Sequence, residues 1–311
     1  MSYYLGIDGG GTKTTCAVGD DSRLLVTAIA GPSNIVRVGA PHARESLQKS
    51  VLQACAAAGI TPAQVSRTCV GGSGAARPEL GAAVRGFLGE ILSSPIDVVG
   101  DMEIALEAAF GKGPGVVVIA GTGSIAYGRD TRGKALRAGG WGFAVGDEGS
   151  AHWIGRQAVN AVLRERDRLP EGSSPTSLAR ALSKVWGVSS CGDLARAANS
   201  IPPPDFAALS PAVFASDDEA AKQVMANAGR ELALVAGVVI GRLFGKQEVD
   251  SVPVAMAGGV FRHSILVRQV FYNELRQLDA RTQVLPDVIE PVEGALRMAR
   301  RAADEGRRNT S

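Results

Sequence analysis

Two stretches of this chain, far apart along it, follow one plan. The first is "YYLGIDGGGTKTT" and the second is "GVVVIAGTGSIAYGRDTRG". Each reads as an apolar strand, a glycine and threonine turn, a return strand and a charged turn. Glycine lets backbone N–H groups come close to an anion, and hydroxyls add donors, so such a turn can cradle phosphate. A glycine run also marks any tight turn, and Asp8 could simply bond to its own turn. Two familiar cradles fail here. A P-loop needs Lys directly after the second glycine, yet Thr12 separates Gly11 from Lys13. A dinucleotide fingerprint needs a helix after the turn. Here the β-rich "TTCAVGD" and "IAYGRD" follow instead. A hairpin written twice, each time followed by mixed material, predicts a duplicated α/β domain. Two glycine turns can then grip one polyphosphate.

The rest of the chain carries both copies. Its 311 residues suffice for two cores. Between the hairpins, the sequence predicts a helix over 42–58 and short strands in "SRTCVGGSGA" and "SPIDVVG". A helix then starts at "DMEIALEAAF". Beyond the second hairpin, helices are predicted over 150–166, 176–186 and 217–244. "SVPVAMAGGVFRHSILVRQVFYNEL" reads as strand, Gly-Gly turn and helix. "SIPPPDFAALSP" reads as an irregular connection, and 291–304 as a last helix opened by Pro291. A net charge of +2 with no broad basic patch argues against nucleic acid. The basic "RMARRAADEGRR" is interrupted by acids and reads as a solvated helix end. The four cysteines, Cys16, Cys55, Cys69 and Cys191, have no metal-ligand spacing and imply no disulfide framework, which suits a reducing cytoplasm. No signal peptide is read at the start, and no apolar run approaching a membrane span is read anywhere.

"DGGGTKT", "GD" at 100–101, "AGTGS" and "AGGVF", in this order, resemble the two phosphate motifs, the connecting motif and the adenosine motif of the actin-like ATPase superfamily. Within it, the chain resembles the BadF/BadG/BcrA/BcrD group. "GGWGFAVGDEGSAHWIGRQAV" is similar to the N-acetylglucosamine kinases of that group, and "EPVEGALRMA" to their closing helix. The resemblance implies an α/β fold of two actin-like ATPase (ribonuclease H-like) domains with the active site in the cleft between them. Residues 1–112, completed by a helix at 290–305, would form one domain, and 113–289 the other.

The resemblance also implies roles. Asp8 would hold Mg²⁺, a hard cation suited to carboxylate oxygen. Gly10, Gly11 and Thr12 would cradle the phosphates of ATP, with Gly121, Thr122, Gly123 and Ser124 from the second turn. Gly258 and Gly259 would lie against adenine or ribose, with Ala207 opposite. Asp101 would be the base that takes the proton of the sugar hydroxyl; a helix N-cap is its structural alternative. Asn34, Ser73, Gly74, Gly140, Trp141 and Asp147 would hold the sugar, together with Asp101 and Thr122; Asp147 could instead serve its helix as a cap. Glu148 reads as a cap. His42, His152 and His263 read as structural or exposed.

The reading is therefore an ATP- and Mg²⁺-dependent sugar kinase. It is taken to be cytoplasmic and, by resemblance, homodimeric, with no membrane partner. Its acceptor is N-acetylglucosamine at O6. Gly139, Gly140, Ala126 and Ala138 are expected to leave room for the acetamido group. N-acetylmuramic acid is a further acceptor if Arg37 or Arg77 meets its carboxylate. Glucosamine kinase is one alternative. An ATPase activator of an acyl-CoA dehydratase is another, although it would need paired cysteines around an iron–sulfur cluster. A non-catalytic sensor would lack the base.

Overall fold

A computed structural model describes residues 2–75 and 77–308. The chain divides into two compact units, Met1–Gly113 with Ile289–Ser311, and Pro114–Val288.

The first unit starts with the antiparallel strands β1 (Tyr3–Gly9), β2 (Thr14–Gly19) and β3 (Leu24–Ala30). The short helix α1 (Ile35–Val38) and the long α2 (Ala40–Ala57) follow. Then come β4 (Val65–Gly72), α3 (Pro78–Gly89), β5 (Ile96–Gly100) and α4 (Asp101–Phe110). The strand order is β3-β2-β1-β4-β5, with β4 parallel to both β1 and β5.

The second unit repeats this plan. The strands β6 (Gly115–Ala120), β7 (Ser124–Arg129) and β8 (Ala135–Gly139) form the antiparallel set. The helices α5 (Ala151–Arg168), α6 (Ser177–Trp186), α7 (Cys191–Ala198), α8 (Ser210–Phe214) and α9 (Glu219–Phe244) come next. After them run β9 (Val252–Ala257), α10 (Gly259–His263), α11 (Ile265–Leu278) and β10 (Thr282–Ile289). The order is β8-β7-β6-β9-β10, with β9 parallel to β6. The chain then returns to the first unit as α12 (Pro291–Arg308).

Period-two alternation on β1 feeds two cores. Leu5 and Ile7 point into the cluster with Leu47, Val51, Val84 and Leu88 of α2 and α3. Tyr4 points the other way, to Ile104 of α4 and to Val292, Ala295 and Leu296 of α12. Backbone approach is very close on this second face. A Cβ on Gly6 would lie 2.4 Å from the Leu296 nitrogen, and one on Gly294 would lie 1.9 Å from the Ile104 carbonyl oxygen. Arg301 of α12 then grips Glu107 of α4 with two hydrogen bonds, of 2.6 and 3.1 Å, and the Glu107 side chain is buried. Such a forked pair fixes orientation as well as distance.

Several elements go beyond the sequence reading. The strands β3, β8 and β10 and the helices α3 and α7 were not predicted. The Pro-rich connection contains a 3-10 turn, Phe206–Leu209, and the start of α8. Gly258 is the N-cap of α10, so the Gly-Gly pair starts a helix. The reading that no segment is long and apolar enough for a membrane also needs correction. α9 runs for 26 residues and meets that test by length and composition. It lies across β6, β7 and β8, and its buried face, including Leu232, Ala236, Val239 and Leu243, belongs to the core of the second unit. Half of its most apolar stretch is buried inside the structure, and a helix packed on a sheet and on neighbouring helices needs fewer polar positions than a surface helix.

Candidate active site

In the first unit, the loops that follow β1, β3 and β4 are tied together, and Ser73 in the last of them joins Asp101 at the end of β5. The turn after β1 closes with Gly10 N–H donating to the Lys13 carbonyl at 3.0 Å. The carbonyls of this turn accept from its neighbours: Ser33 N–H reaches Gly10 O at 3.1 Å, and Ser73 N–H reaches Gly9 O at 3.2 Å. Thr14 Oγ1 adds a 2.7 Å hydrogen bond to Ser33 Oγ. The structure thus brings the turn holding Asp8, Gly10, Gly11 and Thr12 next to Asn34 and to Ser73–Gly74. Gly10 N–H is thus spent inside the turn, and Gly11 and Thr12 form its tip. Asn34 caps α1, its Oδ1 accepting from the N–H groups of Val36 and Arg37 at 3.1 and 3.3 Å.

Asp101 is the first residue of α4, and Gly100, not Asp101, is the N-cap. Glu103 Oε1 reaches back to accept from Gly100 N–H at 3.0 Å, which satisfies that cap. The Asp101 carboxylate accepts from Met102 N–H at 3.0 Å and from the Ser73 hydroxyl. Burial raises its pKa above the ordinary carboxylate value. The Met102 N–H and its own N–H pull it down, Glu103 pushes it up, and Ser73 opposes that. A carboxylate both desolvated and hydrogen-bonded, at the start of a helix, is the arrangement of a tuned base.

Asp8 lies within electrostatic reach of Asp101. Burial pushes its carboxyl up to about 7; Asp101 adds to this, Lys13 acts against it, and Glu290 adds again. Asp101 and Glu290 thus both disfavour the charge on Asp8, and Lys13 favours it. A divalent cation would relieve that repulsion. No group of three His, Cys, Asp or Glu side chains able to hold a metal occurs among the described residues. Mg²⁺ needs no such cage, since it is usually held by one or two carboxylates, waters and substrate phosphates. Asp8 therefore fits a Mg²⁺ role. Glu290 was not foreseen, because its link to Asp8 arises only when α12 returns to the first unit. The one signal in the sequence is its place just before Pro291.

In the second unit, the turn after β6 sits on the start of α5. Gly121 and Thr122 carbonyls accept from Ala151 and His152 N–H at 2.8 and 3.3 Å, and Ser150 Oγ accepts from Trp153 N–H at 3.1 Å. The first N–H groups of α5 are therefore used by the protein itself. Ser124 is also committed: Oγ donates to the Glu148 carbonyl at 2.7 Å, and its N–H bonds to Asp147. Gly121 and Gly123 differ. A Cβ on Gly123 would lie 2.8 Å from Asp147 Oδ2, so the chain itself requires that glycine. A Cβ on Gly121 would meet nothing within 4 Å, which leaves its outer face open to a ligand.

Asp147 is the one non-glycine residue with positive φ, +60°, among the described residues. A buried acid held in this uncommon conformation is a mark of function. Burial raises its pKa, Gly142 and Ser124 N–H lower it, and Glu148 raises it. Gly140 packs on Ile125, and Trp141 stands exposed with the Arg137 guanidinium 4.9 Å from its ring centre. Gly258 is required by the fold, since a Cβ there would lie 2.4 Å from the Ala120 carbonyl oxygen. This brings Gly258 and Gly259 beside the second glycine turn. Ala207 sits in the 3-10 turn capped by Asp205, next to α5. Space for an acetamido group beside Ala126 is ruled out, because Ala126 is wholly buried in the core of the second unit. Gly139 likewise packs on Val235.

A family profile described as the BadF/BadG/BcrA/BcrD ATPase family matches residues 5–299. The N-acetylmuramic acid/N-acetylglucosamine kinase of Clostridium acetobutylicum is 32% identical over 289 residues, 89% of this chain and 90% of that protein. The N-acetyl-D-glucosamine kinase of Dictyostelium discoideum is 28% identical over 313 residues, 95% and 97% of the two chains. A solved structure from Chromobacterium violaceum, provisionally named an N-acetylglucosamine kinase, superposes with a TM-score of 0.75 at 25% identity. It covers 96% of this chain and 99% of its own.

Proposed function

The chain belongs to the BadF/BadG/BcrA/BcrD ATPase family, and from that premise we propose that it transfers the γ-phosphoryl group of ATP to an N-acetylated amino sugar, converting N-acetylglucosamine to its 6-phosphate. The observation that carries this reading is Asp101: a desolvated carboxylate, bonded by Ser73 and within the field of Asp8. Asp101 takes the proton of the sugar hydroxyl as that oxygen bonds to the γ-phosphorus, and the bond from phosphorus to the bridging oxygen breaks to leave ADP. Asp8 holds Mg²⁺, which when bound neutralises charge on the phosphates. Gly11 and Thr12 donate to phosphate oxygens from the first turn. Gly121 and Thr122 offer the open face of the second, and Ser124 fixes the loop that carries Asp147. Gly258, Gly259 and Ala207 flank the nucleoside. Asn34, Ser73, Gly74, Gly140, Trp141 and Asp147 orient the sugar.

The test is ADP release on a panel of amino sugars, with and without Mg²⁺. N-acetylglucosamine should exceed glucosamine and glucose in kcat/KM, and Asp8→Ala should abolish Mg²⁺-dependent turnover while the fold survives. A preference for glucosamine, or normal rates in Asp8→Ala, would overturn the reading. N-acetylmuramic acid belongs on the panel because the Clostridium relative is named for it. Arg37 lies in α1 beside Asn34, and Arg77 precedes α3 beyond the Ser73–Gly74 loop. Loss of that sugar alone in Arg37→Ala or Arg77→Ala would assign the carboxylate contact.

The dehydratase-activator alternative finds no support in the thiols. Cys16, Cys55 and Cys69 are buried, and burial pushes all three up, Cys69 to about 12. Four free cysteines and a need for ATP suit a cytoplasmic site of action.

A further inference from the structure

Four rings form a row in the second unit: Phe143, His152, Phe206 and Trp186. Successive ring centres are 5.0, 5.2 and 5.3 Å apart, and the planes are tilted or edge-on. Aromatic pairs favour such spacings and tilts. None of the four is used by the roles above.

The two ends of the row differ. Phe206 is buried and fixed. It also meets Trp186, and a Cβ on Gly155 of α5 would lie 1.9 Å from its carbonyl oxygen, so the 3-10 turn rests on the α5 backbone. Ala207, assigned to the nucleoside, follows Phe206 in that turn, and its N–H donates to Asp205 Oδ1 at 3.1 Å. Phe143, by contrast, is 54% exposed, and His152 is the only ring it meets among the described residues. Phe143 belongs to the loop that runs from Gly140 and Trp141 to Asp147, which is assigned to the sugar. This loop is folded on itself. The Gly142 carbonyl accepts from Val145 and Gly146 N–H at 3.2 and 2.9 Å, and Gly142 N–H donates to Asp147 Oδ1 at 3.3 Å. Holding Phe143 therefore holds the loop. His152 N–H in turn donates to the Thr122 carbonyl at 3.3 Å. One residue thus meets the phosphate turn with its backbone, and the sugar loop and the nucleoside turn with its ring.

We propose that His152 is a positioning residue shared by both substrates: its ring joins the sugar loop, through Phe143, to the nucleoside turn, through Phe206. The inference rests on the amino-sugar kinase reading, which gives the loop to the sugar and the turn to the nucleoside. What acts is the aromatic ring and not its basicity. One aromatic contact corresponds to roughly 2–13-fold in an equilibrium constant. Its loss falls on binding, and lost binding that is common to ground and transition states raises KM and spares kcat.

The experiment measures kcat and the KM values for N-acetylglucosamine and ATP in the wild type, His152→Ala, His152→Phe, Phe143→Ala and the His152→Ala, Phe143→Ala double variant. Titration calorimetry with ADP alone reads the nucleotide side without turnover. His152→Ala should raise both KM values and weaken ADP binding by about 3–10-fold, with kcat within about twofold of wild type. His152→Phe keeps a ring and should restore both KM values to within about twofold of wild type. Phe143→Ala should raise KM for the sugar by about 3–10-fold and leave ADP binding unchanged. Adding His152→Ala to it should raise the sugar KM no further, because the two residues act through one contact. A merely structural His152 would lower Tm and the active fraction, and so kcat, and leave both KM values in place. That pattern overturns the proposal. So does a His152→Phe protein as impaired as His152→Ala, or sugar KM effects that multiply in the double variant. Should His152→Ala not fold, Phe143→Ala removes an exposed side chain and still decides: an unchanged sugar KM refutes the link. Failure of the kinase reading looks different: the wild type then releases no ADP with any amino sugar, and the inference falls with it.

Discussion

Replacing Asp101 by Asn separates chemistry from folding. Gly100 holds the N-cap position, so no capping bond is lost. Asn keeps an oxygen for the Met102 N–H that Asp101 accepts at 3.0 Å, and the Ser73 hydroxyl, which can accept as well as donate, can face the new amide nitrogen. What disappears is the negative charge in the first turn of α4, worth about 0.3–1 kcal/mol. Burial and Glu103 both disfavour that charge, so removing it brings back part of the loss. The net change in stability is within about 1 kcal/mol, or roughly 2–4 °C in Tm for a unit of this size. Loss of a general base costs about 10²–10⁴ in rate, equivalent to roughly 2.7–5.5 kcal/mol. ADP release at saturating sugar and calorimetric melting measure the two effects on the same sample. Turnover within tenfold of wild type, or a melting temperature lowered by more than 10 °C or so, would refute the reasoning. The pH profile offers a second check. A base must be deprotonated to act, and the Asp101 pKa is raised, so Asp101 adds to the acid limb of wild-type activity; Asp8, pushed up to about 7, titrates in both proteins, and Asp101→Asn should remove only the part of the limb that Asp101 supplies.

The two glycines of the second turn should respond differently to alanine. Gly121→Ala should fold normally and raise KM for ATP tenfold or more, because its Cβ meets no protein atom within 4 Å. Gly123→Ala should displace Asp147, 2.8 Å from the new Cβ, and raise KM for the sugar instead; identical effects would deny the distinction. Gly294→Ala places a Cβ 1.9 Å from the Ile104 carbonyl oxygen and should cost about 1–3 kcal/mol by overpacking, seen as a lower urea midpoint. The Asp20 carboxyl is pulled down to about 2 by the N–H groups of Arg23 and Ser22 and by the Ser22 hydroxyl. A depressed pKa stabilises the fold above the unfolded value near 4, and that contribution is lost as pH falls through about 2. Asp20→Asn should therefore flatten the stability curve between those limits, and an unchanged curve would contradict the assignment.

Much of this protein is written locally. Alternation and turn chemistry each act over a few residues, so both glycine hairpins could be read at Asp8–Thr15 and at Gly121–Ser124. The same holds for Asp101 at a strand-to-helix junction and for the long helices, whose period is regular. The strand β3 carries a nearly continuous apolar run that the reading passed over, whereas β10 is interrupted by Pro286 and the short α7 buries only Leu194, so packing decides both. Tertiary structure decided what depends on residues remote in the chain. Only the return of α12 puts Glu290 into the field of Asp8, and only its close approach explains Gly6 and Gly294. The N-cap at Gly100 rather than Asp101 followed from Glu103 reaching back, which a one-residue shift of the helix start would have reversed. Ala126 looked small enough to make room for a substrate, but small residues also allow helix and strand to pack closely, and on β7 that second use is the one realised. In the first unit, α1, α2 and α3 pack on β1 and β4 without filling the gap between Ala75 and Leu80. A cavity is the part of a volume that no side chain occupies, so its position depends on every element around it and on no single stretch of sequence.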